Sequence, residues 1–133
     1  MTHDVAIFKK IDCHSLPVSD LDAALSFYRD ELGHKLAWRD ASAAGLKVPE
    51  SDVELVLHAE ARPIETDFLV DSVPVAVNRF VRAGGKLITG PFEIRIGLCA
   101  VLQDPWGNRL VVLDTSKGKL EVDPIGNIVP RSE

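Results

Sequence analysis

The sequence has no apolar run of the roughly 18 residues that a membrane-spanning helix needs. It has only two cysteines, Cys13 and Cys99, far apart and outside any C-x-x-C pattern. They form no disulfide framework, which fits the expectation of a reducing cytoplasm. Basic residues are outnumbered: 15 Lys and Arg stand against 20 Asp and Glu, giving a net charge of −5. The Lys and Arg do not cluster, so the basic face of a nucleic-acid binder is missing. The start, Met1-Thr2-His3-Asp4, lacks the charged and apolar regions of a secretory signal. These absences lead to the expectation of a cytoplasmic protein with neither membrane nor nucleic-acid partners.

What is present is the mix of a globular chain: 133 residues, 46% hydrophobic and 26% charged. That length suits one domain, or two small halves sharing a core. The internal pattern favours two halves. After Leu16-Pro17-Val18-Ser19-Asp20, the residues Leu21, Ala24, Leu25, Tyr28 and Leu32 recur on one helical face, and Gly33 stops the helix. A shift of 52 carries Val18 to Val70, Leu21 to Val73, Ala24 to Ala76, Leu25 to Val77, Tyr28 to Phe80 and Gly33 to Gly85. The same order of helix start, stripe and stop thus appears twice. Strands are expected at 8–18, 34–39, 45–48 and 53–58 in the first half, and at 64–70, 86–89, 98–103 and 110–113 in the second. Each half therefore reads β-α-β-β-β, and the fold class is α+β. Asp104-Pro105-Trp106-Gly107-Asn108 forms a tight turn before the last strand. Residues 116–133 carry glycine and proline breaks with little apolar periodicity; they are expected to be a C-terminal tail, mobile or draped over a partner.

Several stretches resemble the vicinal oxygen chelate superfamily, the glyoxalase/bleomycin resistance/dioxygenase group. They are Leu16-Pro17-Val18-Ser19-Asp20-Leu21, Ser26-Phe27-Tyr28-Arg29-Asp30-Glu31-Leu32-Gly33, Val70-Asp71-Ser72-Val73, Ala83-Gly84-Gly85 and the Asp104-Pro105-Trp106-Gly107-Asn108 hairpin. The resemblance implies a single domain over residues 1–115, with modules at about 6–60 and 63–115. It implies an open, U-shaped half-barrel whose concave side holds a small-molecule ligand, and a homodimer. In metal-dependent relatives four inward side chains hold one divalent ion. Those positions map onto Cys13, Glu54, Glu65 and Val111.

Strand alternation assigns the other inward residues. Cys13, Ser15 and Pro17 face the concave side in the first strand, and Glu54, Val56 and His58 do so in the fourth. Glu65, Asp67 and Leu69 follow in the fifth, then Arg109, Val111 and Leu113 in the last. The expected ligand pocket is thus Cys13, Ser15, Trp38, Glu54, Val56, His58, Glu65, Asp67, Arg109 and Val111. Trp38 is expected to share a face with Leu36, in the alternation of His34, Leu36 and Trp38.

Valine cannot coordinate a metal, and the remaining Cys13, Glu54 and Glu65 mix one soft thiolate with two hard carboxylates. No cofactor is therefore expected; a divalent ion, if bound, would use those three. Glyoxalase chemistry needs a metal and a proton-moving carboxylate, so Glu54 and Glu65 are only weak catalytic candidates. The leading expectation is metal-independent binding of a small organic molecule. The alternatives are a lactoylglutathione-lyase-like lyase or isomerase, and sequestration of a cationic antibiotic by an acidic cluster of Glu54, Glu65 and Asp67. A further reading pairs Glu65 and Asp67 with Arg39, Arg62, Arg95 or Arg109.

Overall fold

A computed structural model describes residues 5–118 and 120–129 of the chain. The elements run β1 (Lys10–Pro17), α1 (Leu21–Leu25), a π-helical stretch (Ser26–Glu31), β2 (Leu36–Arg39), β3 (Ala43–Lys47), β4 (Glu54–His58), β5 (Glu65–Leu69), α2 (Val73–Arg82), β6 (Lys86–Ile94), β7 (Gly97–Gln103) and β8 (Arg109–Leu113). All eight expected strands are present, and the class is α+β. The β6 strand runs five residues past the expected stop at Thr89.

Two compact units emerge. One comprises Asp12–Glu65 together with the chain from Leu120, and the other comprises the chain up to Ile11 together with the stretch from Thr66. In the first, the strand order is β2-β3-β4-β1, with β1 parallel to β4 and the other pairs antiparallel. In the second, the order is β5-β8-β7-β6, with β5 parallel to β8 and the rest antiparallel.

The first core joins Leu21, Ala24 and Leu25 of α1 to Ala44, Leu46 and Leu57 of the sheet, with Leu16, Val18, Tyr28, Leu36 and Leu55 packed against them. Asp20 caps α1 by accepting from the Ala23 amide at 3.0 Å. One expected core residue is misplaced. Leu32 is 53% exposed rather than packed under the helix. The cause is the π-helical stretch, where the Leu32 amide donates to Phe27 O, five residues back. The wider turn breaks the 3.6-residue period after Tyr28, so the residue eleven positions past Leu21 rotates off the face.

The second core repeats the plan with Val70, Val73, Ala76, Ala100, Leu102 and Val112, flanked by Phe8, Phe68, Val77, Phe80 and Leu98. Here the expected helix stripe is kept in full. Ser72 caps α2 by accepting from the Val75 amide at 3.4 Å, and Gly84 leaves the helix with φ of 112°. Ser72→Ala is expected to cost about 1 kcal/mol of stability, measured by urea unfolding, because one first-turn amide loses its acceptor.

Part of the C-terminal stretch is tied to the first unit by backbone hydrogen bonds. Arg39 donates its amide to Gly126 O at 2.8 Å and accepts from the Ile128 amide at 3.1 Å, so this stretch adds a parallel bridge to the free edge of β2. Of the two expectations for this stretch, a mobile tail does not describe residues 126–128, which are held on β2. Bonds to an edge strand satisfy backbone groups that apolar periodicity does not report.

Candidate functional site

In both units the helix takes one face of the sheet, and strand alternation leaves the other face for the candidate residues. In the first unit, Leu16, Leu55 and Leu57 lie on the helix side. Cys13, Ser15, Glu54, Val56 and His58 therefore share the opposite face. Register sets them in rows: Cys13 opposite Glu54, Ser15 opposite Val56 and Pro17 opposite His58.

This face is closely built. Ser15 is 3% exposed and His58 is fully buried. Cys13 Sγ lies 3.9 Å from Ser15 Oγ. His58 Nδ1 lies 3.1 Å from Glu60 O. A carbonyl oxygen only accepts, so Nδ1 carries the hydrogen, and in the neutral ring Nε2 then presents a lone pair. Nε2 finds no hydrogen-bond partner among the described residues.

Trp38 belongs to this face, and its indole Nε1 donates to Glu54 Oε1 at 2.7 Å. The expectation that Trp38 shares a face with Leu36 is wrong. The β2–β3 register shifts between Leu36 and Trp38, and this bulge sends Leu36 to the helix core and Trp38 to the other side. Gly45, which sequence reasoning passed over, makes that position possible. A Cβ at Gly45 would fall within the Trp38 indole ring. The available signal was a glycine inside a strand, which marks close approach of another group.

The matching face of the second unit is largely apolar, with the Asp67 carboxylate set into it. Cys99, Val111 and Leu113 form a buried cluster, joined by Leu69, Ile94, Ile96 and Val101. Val111 stands opposite Asp67 on β5 and opposite Val101 on β7. Arg109 is exposed at the start of β8. Trp106, in the hairpin turn, is 83% exposed. That turn is held by the Asp104 carboxylate, which accepts from the amides of Trp106 and Asn108 and from Asn108 Nδ2 at 2.9 Å. The Asn108 side-chain bond is the main reason that the Asp104 carboxyl titrates below its ordinary value.

A divalent ion of the superfamily type does not fit these residues. Val111 offers no donor atom and is packed among aliphatic side chains. Glu54 accepts from Trp38, and Glu65 pairs with Arg62 at 3.2 Å. Among the described residues, no three His, Cys, Asp or Glu side chains come together in a group that could hold a metal.

The family model of the Glyoxalase/Bleomycin resistance protein/Dioxygenase superfamily matches residues 10–112, and the chain belongs to that superfamily. Solved structures share the fold at low identity. The methylmalonyl-CoA epimerase from Mycobacterium tuberculosis is 18% identical with a TM-score of 0.69, covering 84% of this chain and 91% of that one. A variant of the Streptomyces coelicolor methylmalonyl-CoA epimerase, in complex with 2-nitronate-propionyl-CoA, is 17% identical with a TM-score of 0.67, covering 82% and 99%. A Legionella pneumophila protein described as an NAD-dependent benzaldehyde dehydrogenase is 19% identical with a TM-score of 0.64, covering 78% and 98%. No curated protein matches the chain. No helix among the described residues is long and apolar enough to cross a membrane.

Proposed function

We propose that this superfamily member binds a small organic molecule without a metal, using the sheet faces opposite the helices. The supporting observation is Val111. It occupies a position that in metal-dependent relatives carries a ligand, and its neighbours Cys99, Leu113 and Leu69 make that region apolar. Hydrophobic surface with a few placed polar groups is the usual chemistry of a small-molecule site. In the first unit, the face opposite the helix presents two polar groups of its own. The Trp38–Glu54 pair presents an indole and a carboxylate held in a fixed relation. His58 presents a buried acceptor, so the guest carries a hydroxyl or N–H to donate to it. Ser15 and Val56 complete the proposed contact face of the first unit, and Asp67 and Arg109 that of the second, each taken by itself; the protein works as a homodimer in the cytoplasm.

The two alternatives draw less support. A lyase of the glyoxalase type needs a Lewis acid that these residues do not assemble. Sequestration of a cationic drug needs a free acidic cluster, yet Glu65 is paired with Arg62 and Glu54 is engaged by Trp38.

Metal analysis of the purified protein tests the reading. The expected result is less than one-tenth of an equivalent of nickel, zinc, iron or manganese per chain, and no shift in Tm on adding any of them. One tightly held equivalent, lost in Glu54→Gln, would overturn it. A thermal-shift panel of small hydroxylated organic acids and amides supplies the positive arm. Hits are expected to stabilise the native protein and to lose most of that effect in His58→Phe.

A further inference from the structure

A cavity lies away from the faces described above, wholly within the second unit. The chain ahead of β1 crosses beside the first turns of α2, and between them is a cavity of about 320 Å³. That volume falls within the range of ligand pockets. Its walls are mainly aliphatic: Val5, Ile7, Val70, Val75 and Ala76. Lys9, Asp71, Ser72 and Arg79 also border it.

The charges around it are unequally neutralised. Lys9 Nζ lies 3.2 Å from Asp71 Oδ2, so those two cancel. Arg79 Nη1 donates to Val5 O at 2.7 Å, a neutral partner that leaves the guanidinium charge uncompensated by that bond. A guanidinium has five N–H donors in a planar fork, suited to a carboxylate. The amides of the first helical turn are not the attraction. The Val73 amide already donates to Asp114 Oδ2 at 2.8 Å, and the Val75 amide to Ser72 Oγ at 3.4 Å.

We propose that this cavity binds a small aliphatic carboxylate, its chain against Val5, Ile7, Val70, Val75 and Ala76 and its carboxylate on Arg79. The apolar walls select the chain, and Arg79, the one bordering cation without an ion-pair partner among the described residues, selects one negative group. A volume of about 320 Å³, at the small end of ligand pockets, suits a short acyl chain better than a long lipid. The same Arg79 bond that holds Val5 also fixes the chain that walls the cavity. The site is separate from the one in the preceding section and does not depend on it.

The experiment is a titration of the full-length, 15N-labelled protein with sodium octanoate, followed by amide NMR at constant pH and ionic strength. Octanol serves as the neutral control. Saturable shifts of the Ile7, Val75 and Ala76 amides are expected with octanoate, and at least tenfold weaker binding with octanol. Val75 is 59% exposed, so Val75→Trp is expected to fold normally and to abolish the shifts by filling the space. Arg79→Lys keeps the charge but loses the fork, and is expected to weaken octanoate binding about threefold to tenfold. Absence of saturation, octanol binding as tightly as octanoate, or unchanged shifts in a folded Val75→Trp protein would each overturn the proposal.

Discussion

Asp114→Ala is expected to lose about 3 kcal/mol or more of stability, a fall in Tm on the order of 10 °C. Asp114 directly follows β8 and is 2% exposed. Its Oδ1 accepts from the Leu98 amide at 2.9 Å and from the amide and hydroxyl of Ser116, while Oδ2 accepts from the Val73 amide at 2.8 Å. One carboxylate thus ties together the start of α2, the start of β7 and the exit of β8. Alanine would leave the buried Val73 amide and the part-buried Leu98 amide without their acceptor, which is costlier than never having placed a polar group there. Gly97 leaves room for the arrangement, since a Cβ there would meet the Asp114 carboxylate.

The same residue predicts an acid limb. Burial pushes the Asp114 pKa up, but the bonds from Val73, Leu98 and Ser116 outweigh it, and the group titrates below its ordinary value. The unfolded chain then takes up the proton before the folded one as pH falls. The stability from this carboxylate is complete above the unfolded value of about 3.9 and disappears as pH drops through the lower folded value. Asp114→Asn should flatten that part of the urea-derived pH profile. It should also cost less than alanine, because the amide retains Oδ1 and loses only the acceptor facing Val73.

Gly45→Ala is expected to cost about 2 kcal/mol and to disrupt the proposed binding face at once. The new methyl would occupy the space of the Trp38 indole, so the ring must leave and its bond to Glu54 must break. A hydrogen bond to a charged acceptor is worth more than a neutral one, and the displaced ring also loses its packing. In a Trp106→Phe background, Trp38 is the sole tryptophan, and its emission should shift to the red in Gly45→Ala as the indole enters water. Trp38→Phe removes the N–H and retains most of the ring, so a smaller loss, about 1 kcal/mol, separates the bond from the packing. Unchanged emission in a folded Gly45→Ala protein would show that the indole does not rest on Gly45.

The strands and the second helix were legible because their burial follows simple periods. Val73, Ala76, Val77 and Phe80 keep one face of a regular helix, and Leu55 and Leu57 keep one face of a strand. The failures occur where the period changes locally. Leu32 follows a π-helical stretch, and Trp38 follows a bulge; neither device leaves a mark in the hydrophobic pattern. The link from residues 126–128 to Arg39 is made by backbone alone, which side-chain patterning does not encode. At the candidate site, the departures at Cys13 and Val111 were visible as residue types. The pairing of Trp38 with Glu54 was not, because it depends on the bulge and on the missing side chain of Gly45. Asp114 was overlooked because one acidic residue after a strand looks like a solvated turn until its four donors are known.

The described stretches near the two ends are each stitched into the more distant half of the sequence. Residues 5–11 fold with the stretch from Thr66, while 120–129 fold with Asp12–Glu65. A gene cut once between the modules would therefore not yield two self-sufficient polypeptides. The amino-terminal piece would have a bare β2 margin, and the carboxy-terminal piece would lack Phe8, which stacks on Phe68 at 4.6 Å. An exposed strand margin invites pairing between molecules, so such fragments should clump when expressed singly and recover when produced together.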